Sequence, residues 1–482
     1  MNPSFDNTQN AFAYKSTGDL KKARFLFSVI QSPIVVSLAT KLTPMLMQSG
    51  LPINGLIRST IFNQFVGGET LEESARVVKQ LSAYQVQVIL DYGVEAKEGE
   101  DNFDAVTEHI IEAIEFAASQ NNVPFVSVKI TGVASMSLLE NLNDAPRLRS
   151  GIHDSEEDNA AWNRVKERMC AICEVATEKG VGVLIDAEET WIQDPIDRLA
   201  IEFAASQNNV PFVSVKITGV ASMSLLENLN DAPRLRSGIH DSEEDNAAWE
   251  RVKERMHAIC EVASEKGIGV LVDAEETWIQ DPIDRLAIEL MAIYNKEKVV
   301  VYNTYQLYRH DRFKFLQMSH SIAKEKQFIL GAKLVRGSYM EKERERAQKN
   351  GYASPIHENK EAVDADFNKA TDYCLQHIDN IALLVASHNE HSNQLVMQTM
   401  QNKQLDTHHP HIHFSQLYGM SDHITFNMAD AGYSVSKYLP FGPIKDVIPY
   451  LMRRAEENSS VNGQTSRELV LIRKELARRK GK

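Results

Sequence analysis

From residue 84 onward, two patterns of apolar and polar positions alternate along the chain. Short β-branched runs predict strands, and segments whose apolar positions recur every three or four residues predict helices. The predicted strands are Gln85–Tyr92, Pro124–Gly132, Val181–Thr190, Lys298–Gln306, Phe328–Gly337, Ile381–Asn389, His411–Gly419 and Tyr433–Gly442. Helical patterns separate most of them, for example Ala160–Lys179, Pro195–Ala205, Arg312–Lys326, Lys360–His377 and His391–Asn402. This order predicts a parallel sheet with right-handed crossover connections.

The segment before the first predicted strand has a different character. Residues 1–83 predict helices and end in the amphipathic segment Leu71–Tyr84. The apolar stretch Phe25–Ile61 is interrupted by Lys41, Arg58 and several prolines, so we do not expect it to span a membrane. We therefore divide the chain into an N-terminal helical region, residues 1–83, and a strand–helix region, residues 84–482.

Two blocks of the second region are nearly identical. Residues 114–200 and 201–287 are tandem copies of 87 residues that differ at five positions. Solenoid repeats diverge outside their core positions and usually need three or more copies, so this pair indicates a single duplication instead.

The duplication decides how many strands we count. One copy gives eight strands, which predicts an α/β fold of the (β/α)₈ TIM-barrel type carrying a surplus duplicated β/α pair. Ten strands are not expected to satisfy the usual relation between strand number and shear. Either copy could supply barrel strands 2 and 3. An open doubly wound sheet is the alternative fold, although no G-x-G-x-x-G turn follows the first strand.

Charge and cysteine content limit the possible classes of function. The net charge of −14 argues against a nucleic-acid partner, and the four cysteines indicate a reducing compartment. The N-terminus lacks the apolar region of a secretory signal, so we expect a cytoplasmic protein. The sequence contains no H-E-x-x-H or Cys/His ligand set, so we expect no metal site.

Polar side chains stand at the carboxyl ends of the predicted strands, where barrel enzymes place their active sites. They are Lys129 or Lys216, Asp186 or Asp273, Asn303, Tyr305, Gln306, Lys333, Arg336, Tyr339, His388, Asn389, Gln416, Tyr418 and Tyr438. Basic side chains outnumber acidic ones in this set, so the carboxyl end of the predicted barrel suits a polar anionic ligand.

An adjacent pair of arginines, Arg453 and Arg454, follows the last predicted strand on a predicted helix. Guanidinium groups match carboxylate oxygens bidentately, so this pair suits a small carboxylate. A solvated basic helix face is the alternative interpretation. The polar residues at the ends of the preceding predicted strands favour the first interpretation, in which the arginines bind a carboxylate.

Five motifs together resemble the proline dehydrogenase family. They are KLVRGSYMEKERERA (Lys333–Ala347), ASHN (Ala386–Asn389), FSQLYGMSDHITF (Phe414–Phe426), KYLPFGP (Lys437–Pro443) and YLMRRAEEN (Tyr450–Asn458). The resemblance covers about residues 84–475 and implies a (β/α)₈ barrel flavoenzyme. The implied reaction is oxidation of L-proline to Δ1-pyrroline-5-carboxylate by hydride transfer to N5 of FAD, a step in proline catabolism. The 87-residue duplication is no part of the family pattern.

The resemblance also implies roles for individual residues. The implied catalytic set is Lys129 or Lys216, Asp186 or Asp273, Tyr438, Arg453 and Arg454. The implied substrate contacts are Leu334, Tyr339, Tyr438, Tyr450, Arg453 and Arg454, with Glu457 as an ion-pair partner of Arg453. The implied FAD contacts are Gln306, Lys333, Arg336, His388, Asn389 and Gln416.

The family further implies a quinone-type electron acceptor, reached by at most peripheral association at the inner face of a membrane. Two alternatives stand beside this function. A barrel aldolase would use Lys129 or Lys216 to form a Schiff base. The duplication could also make the chain a non-functional variant of a proline dehydrogenase.

Overall fold

The structure is a computed structural model that describes most of the chain. The described residues are 4–32, 34–36, 38–39, 54–94, 98–144, 156–185, 192, 195–196, 199, 212–219, 221, 223–231, 243–266, 269–337, 339–460 and 464–481. The predicted helix Pro195–Ala205 and the predicted site residue Asp186 lie largely or wholly outside these ranges.

Ten strands occur in the described ranges. They are β1 (Gln87–Tyr92), β2 (Phe125–Val128), β3 (Gly182–Ile185), β4 (Phe212–Val215), β5 (Gly269–Val272), β6 (Val301–Gln306), β7 (Leu330–Val335), β8 (Ile381–Ala386), β9 (Ile412–Leu417) and β10 (Val435–Phe441). Most end before the predicted boundary, because the polar residues that follow belong to loops. After β2, for example, Ile130–Gly132 forms a 3₁₀ turn.

Helices precede the first strand and separate most of the others. The N-terminal helices are α1 (Thr8–Ala11), α2 (Thr17–Ile30), α3 (Asn54–Ile57), α4 (Asn63–Phe65) and α5 (Leu71–Ser82), with a π-helical turn at Arg58–Phe62. In the duplicated blocks and around them lie α6 (Glu100–Ala118), α7 (Met136–Asp144), α8 (Glu156–Lys179), α9 (Met223–Asp231), α10 (Glu243–Lys266) and α11 (Thr277–Tyr294). The remainder are α12 (Arg312–Lys326), α13 (Met340–Asn350), α14 (Lys360–Gln376), α15 (Glu390–Asn402), α16 (Asp422–Asp430), α17 (Ile444–Ser460) and α18 (Gln464–Arg478).

The ten strands form one closed parallel barrel in chain order, with β10 hydrogen-bonded to β1. The predicted parallel α/β barrel with a helical N-terminal region is confirmed. The expectation that only eight strands close the barrel is wrong, because the strands of both copies pair within the wall. The open doubly wound sheet is excluded by the same closure.

Strand registers explain why ten strands can close. A path that follows paired residues around the wall, from Ile89 to Phe125 and onward, returns to β1 ten residues from its start. This offset of ten residues is the shear of the barrel, and it equals the number of strands, as in an eight-stranded barrel with a shear of eight. The second copy therefore increases the strand number and the shear in the same proportion. The strand tilt is kept, and the barrel becomes wider by roughly a quarter.

The N-terminal region packs beside the end of the barrel. Phe12, Phe27 and Phe65 share an apolar core with Tyr450 of α17 and with α18. A Cβ atom at Gly419, where φ is +78°, would lie 1.9 Å from a backbone oxygen of the N-terminal region, so this close approach requires glycine. Helix α17 is therefore held from the side. Among the described residues, no helix is both long and apolar enough to cross a bilayer.

We expect a chain lacking residues 203–289 to fold, because the remaining eight strands would keep stagger equal to strand number. The helix signal per residue in circular dichroism should be similar to that of the full chain. Thermal unfolding should remain a single cooperative transition. A deletion variant that aggregates or unfolds without cooperativity would contradict the register argument.

Candidate active site

A cavity of about 370 Å³ opens at the carboxyl ends of the barrel strands. Its lining residues come from β1, β9, β10, the helix α17 and the segments that follow β1, β2 and β8. They are Asp91, Gly93, Lys129, His388, Ser415, Gln416, Leu417, Tyr438, Tyr450, Arg453 and Arg454. Because all strands are parallel, their carboxyl ends meet at one face, as the sequence analysis expected.

Helix α17 brings both arginines to this cavity. Arg454 is 9% exposed, and its guanidinium carbon lies 5.1 Å from the centre of the Tyr450 ring, one helical turn earlier. Arg453 lines the same cavity but is exposed to solvent. A buried and an exposed guanidinium group at one cavity can grip an anion and also admit it from solvent. The side chain of Glu457 lies outside the described residues.

The apolar wall of the cavity includes a leucine that the resemblance did not name. Leu417 lines the cavity beside Tyr438. Leu334 is fully buried and pairs in register with Tyr305, whose ring packs against Phe315 of α12. Its contact with the substrate stays a prediction.

The two lysines of the repeat have different surroundings. Lys129 lines the cavity with the arginine pair. Lys216 is not among its lining residues, and two positions further along the chain Thr218 donates a hydrogen bond to the buried Glu275 at 2.7 Å. Burial raises the pKa of Glu275, and the nearby Lys216 opposes that shift. The sequence analysis left open which lysine faces the arginines, and the structure places Lys129 there.

Asp273, at the end of β5, forms an ion pair with Lys333. Their Oδ1 and Nζ atoms are 2.6 Å apart, and the side chains are 21% and 22% exposed. Nearby, the Tyr339 hydroxyl donates to Glu275 at 3.1 Å, and the Gln306 amide donates to the Glu275 carbonyl at 2.8 Å. Tyr339 and Gln306 therefore lie around Glu275 and are not among the residues that line the cavity.

Polar side chains also follow β7 and β8 at the carboxyl end of the barrel. The Arg336 guanidinium donates to Asp364 at 2.7 Å, to Ser387 at 3.1 Å and to Ser392 at 3.0 Å. The Asn389 side chain accepts from the backbone N–H of Ser392 and caps α15. A cation beside a helix N-terminus is a suitable environment for a phosphate group.

His388 and Gln416 connect this polar region to the cavity. The Gln416 amide donates to the Ser387 carbonyl at 3.3 Å, and its oxygen accepts from Thr425 at 2.8 Å. Burial and, to a smaller extent, the nearby cations Lys437 and Arg454 together lower the pKa of His388 to about 3. The ring is therefore neutral at physiological pH.

The tautomer of His388 follows from its partners. The backbone N–H of Leu417 approaches Nε2 at 3.4 Å, so Nε2 accepts, and Nδ1 carries the proton that it donates to Ser421 at 3.0 Å.

A buried ionic cluster lies behind the cavity, and the sequence analysis missed it. Asp422 accepts from the Tyr14 hydroxyl at 2.7 Å and pairs with Lys15 at 3.0 Å and with Lys437 at 3.2 Å. Burial would raise the pKa of Asp422, but the two lysines hold it well below its usual range. The cluster ties the N-terminal region to β10, directly beside Tyr438.

The sequence analysis also missed Asp91, which is buried at the end of β1 and lines the cavity. Its position at the carboxyl end of the first predicted strand was the signal that could have identified it.

Acidification should test the state of His388. An unfolded histidine takes up its proton near pH 6.5, whereas the folded side chain does so only near pH 3. The unfolded state therefore binds more protons between these values, and stability falls on acidification by about 1.4 kcal/mol per pH unit from this group. Between pH 4 and 6, the free energy of unfolding of His388→Asn, measured by chemical denaturation, should fall less per pH unit than that of the wild type. An equal fall per pH unit in the two proteins would contradict a buried neutral ring.

Fold and site together define an α/β-barrel protein with a cationic cavity suited to a small carboxylate. The family model described as proline dehydrogenase matches residues 74–215 and 196–467. Its two matches overlap at residues 196–215, across the junction between the two copies. The chain belongs to the proline dehydrogenase family, and membership implies a flavin cofactor.

Individual relatives agree with this assignment. Proline dehydrogenase 1, mitochondrial, from Dictyostelium discoideum is 30% identical over 98% of this chain and 74% of its own length. The human protein of the same name is 28% identical over 98% of this chain and 89% of its own. Hydroxyproline dehydrogenase from Xenopus laevis is 27% identical over 97% of this chain and 88% of its own.

A solved structure shares the fold. Proline utilization A from Bdellovibrio bacteriovorus superposes with a TM-score of 0.50 at 18% identity. The match covers 95% of this chain and 38% of that protein, so the chain spans well under half of its length.

Proposed function

We propose that this protein oxidises L-proline to Δ1-pyrroline-5-carboxylate with FAD as its cofactor. The observation that carries the proposal is the shared cavity of Arg453, Arg454, Lys129, Tyr438 and Tyr450. Three cations and two aromatic rings suit a small ring that bears a carboxylate. Family membership supplies the reaction class.

The arginines bind the substrate carboxylate in this scheme. Arg454 provides a buried guanidinium group that is positioned by the Tyr450 ring, and Arg453 provides a second one at the solvent side. Bidentate pairing fixes the orientation of the carboxylate as well as its position. Tyr438 and Leu417 cover the ring and exclude water from it.

The reaction removes a hydride from the ring carbon next to nitrogen and a proton from the nitrogen itself. The nitrogen must therefore lose its ammonium proton first, and the surrounding cations favour that loss because like charges lower the pKa of a bound ammonium group. Fixing the ring by its carboxylate then holds the reacting carbon in a productive position.

FAD, when bound, supplies the hydride-accepting chemistry. The donor set fits such a group: Arg336, Asn389 and the N-terminus of α15 suit its phosphates, and the neutral His388 with Gln416 connects them to the cavity. Lys333 and Gln306 complete this set, with Lys333 held by Asp273.

We further propose a quinone-type electron acceptor. Apolar side chains of the N-terminal region are well exposed, including Phe25, Ile34 and Leu56 at 64%, 82% and 67%. Such residues suit peripheral contact of a cytoplasmic protein with the inner face of a membrane, where quinones dissolve.

The proposal is tested with the purified full chain. We expect bound flavin that is released as FAD, and reduction of an artificial dye that depends on L-proline and yields the cyclic imine. Hydroxyproline and D-proline serve as comparison substrates. A protein that binds no flavin, or that reduces the dye equally with and without proline, would contradict the proposal.

The substitution Arg454→Lys should separate a bidentate clamp from a simple positive charge. Lysine keeps the charge but loses the planar fork and its contact with Tyr450. We expect the kcat/KM for proline to fall by roughly 30- to 150-fold, equivalent to about 2–3 kcal/mol for a charge-assisted hydrogen bond.

The matched control is Arg473→Lys, which changes an exposed arginine of α18 away from the cavity. Its kcat/KM should equal that of the wild type. Flavin content and thermal unfolding of both variants report whether the fold is retained. An unchanged kcat/KM in a folded Arg454→Lys protein would show that the clamp is assigned to the wrong residue.

A further inference from the structure

Helix α13 docks with one face onto the segment that follows β5. Residues at the start of α13 and three, four and seven positions later lie on the same side of an α-helix. They contact four consecutive residues of the segment. The contacts, in order, are Tyr339 with Glu275, Lys342 with Glu276, Glu343 with Thr277 and Arg346 with Trp278.

The Glu343 side chain is fully buried in this interface. Its two oxygens accept hydrogen bonds from the backbone N–H of Thr277 at 2.7 Å and from the Thr277 hydroxyl at 2.6 Å. Thr277 is the first residue of α11, and the first N–H groups of a helix have no partner within it. In the described structure, the N-cap residue Glu276 makes no capping hydrogen bond with its own side chain. The cap of α11 is therefore supplied by another helix.

A cap of this kind couples the positions of two helices. Serine, threonine, aspartate or asparagine at the N-cap position would cap α11 locally, wherever α13 lay. Glu343 instead makes the start of α11 depend on the position of α13. A carboxylate also interacts favourably with the positive end of a helix dipole, which strengthens the contact.

The docked segment holds residues assigned above to the cofactor. Asp273 pairs with Lys333 at 2.6 Å, and the Glu275 carbonyl accepts from the Gln306 amide at 2.8 Å. Lys333 and Gln306 belong to the set proposed to bind FAD. A displacement of the segment would therefore move the partners of both residues.

We propose that Glu343 is a positioning residue for this part of the site. By capping α11, it holds the segment after β5 and the start of α13 in one fixed arrangement. That arrangement keeps Lys333, Gln306 and Tyr339 in place for a bound flavin and its substrate. The inference rests on the proposed function, because it concerns residues assigned there to the cofactor and the substrate.

Variants of the flavin-loaded full chain separate positioning from simple helix capping. Glu343→Ala removes the cap. The double variant Glu276→Asp with Glu343→Ala gives α11 a local N-cap but leaves α13 without its carboxylate, and Glu276→Asp alone is its reference. Glu341→Ala is the matched control, because Glu341 lies on the same helix with a side chain that is 79% exposed.

Three properties are measured: the thermal unfolding midpoint, the rate at which bound flavin is released on dilution, and kcat and KM for proline. Glu343→Ala should lower the midpoint and accelerate flavin release by about tenfold or more, because a charge-assisted contact is lost. The double variant should regain most of the lost midpoint but keep the fast release. Glu341→Ala should match the wild type in every property.

Two results would overturn the proposal. If the double variant recovered slow flavin release together with the midpoint, Glu343 would be a helix cap and nothing more. If a folded Glu343→Ala released flavin and oxidised proline as the wild type does, the site would not depend on this contact. Should Glu343→Ala fail to fold, Glu343→Gln gives the same comparison, because it removes the charge and keeps the shape of the side chain.

Failure of the proposed function itself looks different. In that case the wild type would carry no flavin or would reduce no dye with proline, whereas Glu343→Ala would still lower the unfolding midpoint.

Discussion

Hydrogen bonding between the first and the last strand is the constraint on which the site depends. Six registered pairs join β1 to β10, from Gln87 with Ser436 to Tyr92 with Phe441. This closure brings residues from opposite ends of the chain, Asp91 and Tyr438 among them, into one cavity. Without it the arginine helix would face no lysine, and the polar strand ends would lie along an open edge.

A second level of support comes from the buried charges behind the cavity. Lys437 is fully buried on β10, and its ammonium group is held by Asp422 and by the Leu417 carbonyl at 3.2 Å. Removing one member of such a cluster leaves an uncompensated charge in the protein interior. The resulting loss of stability is larger than the stability that the intact cluster contributes. Because Lys15 belongs to the same cluster, the N-terminal region takes part in positioning Tyr438.

The sequence was informative where local pattern determines structure. Alternation and periodicity located all eight strands of a single-copy barrel, and the adjacent arginines that the pattern singled out line one cavity in the structure. Leu417 was missed because neighbouring strand residues point to opposite faces, and periodicity does not say which face is inward. Strand registers set the barrel size, and registers are long-range properties that periodicity does not encode.

The duplicated lysine was ambiguous for a related reason. Lys129 and Lys216 have the same neighbours in sequence, so only their distance from the closure of the barrel distinguishes them. Likewise, the cluster around Asp422 joins residues that are four hundred positions apart, and no local pattern marks its members as partners.

The number of registered pairs between neighbouring strands has a consequence for how the barrel opens. β7 and β8 share five registered pairs, whereas β1 and β2 share three. Local opening is easiest where the fewest backbone hydrogen bonds must break. Amide hydrogens shared by β1 and β2 would then exchange with solvent earlier than those shared by β7 and β8.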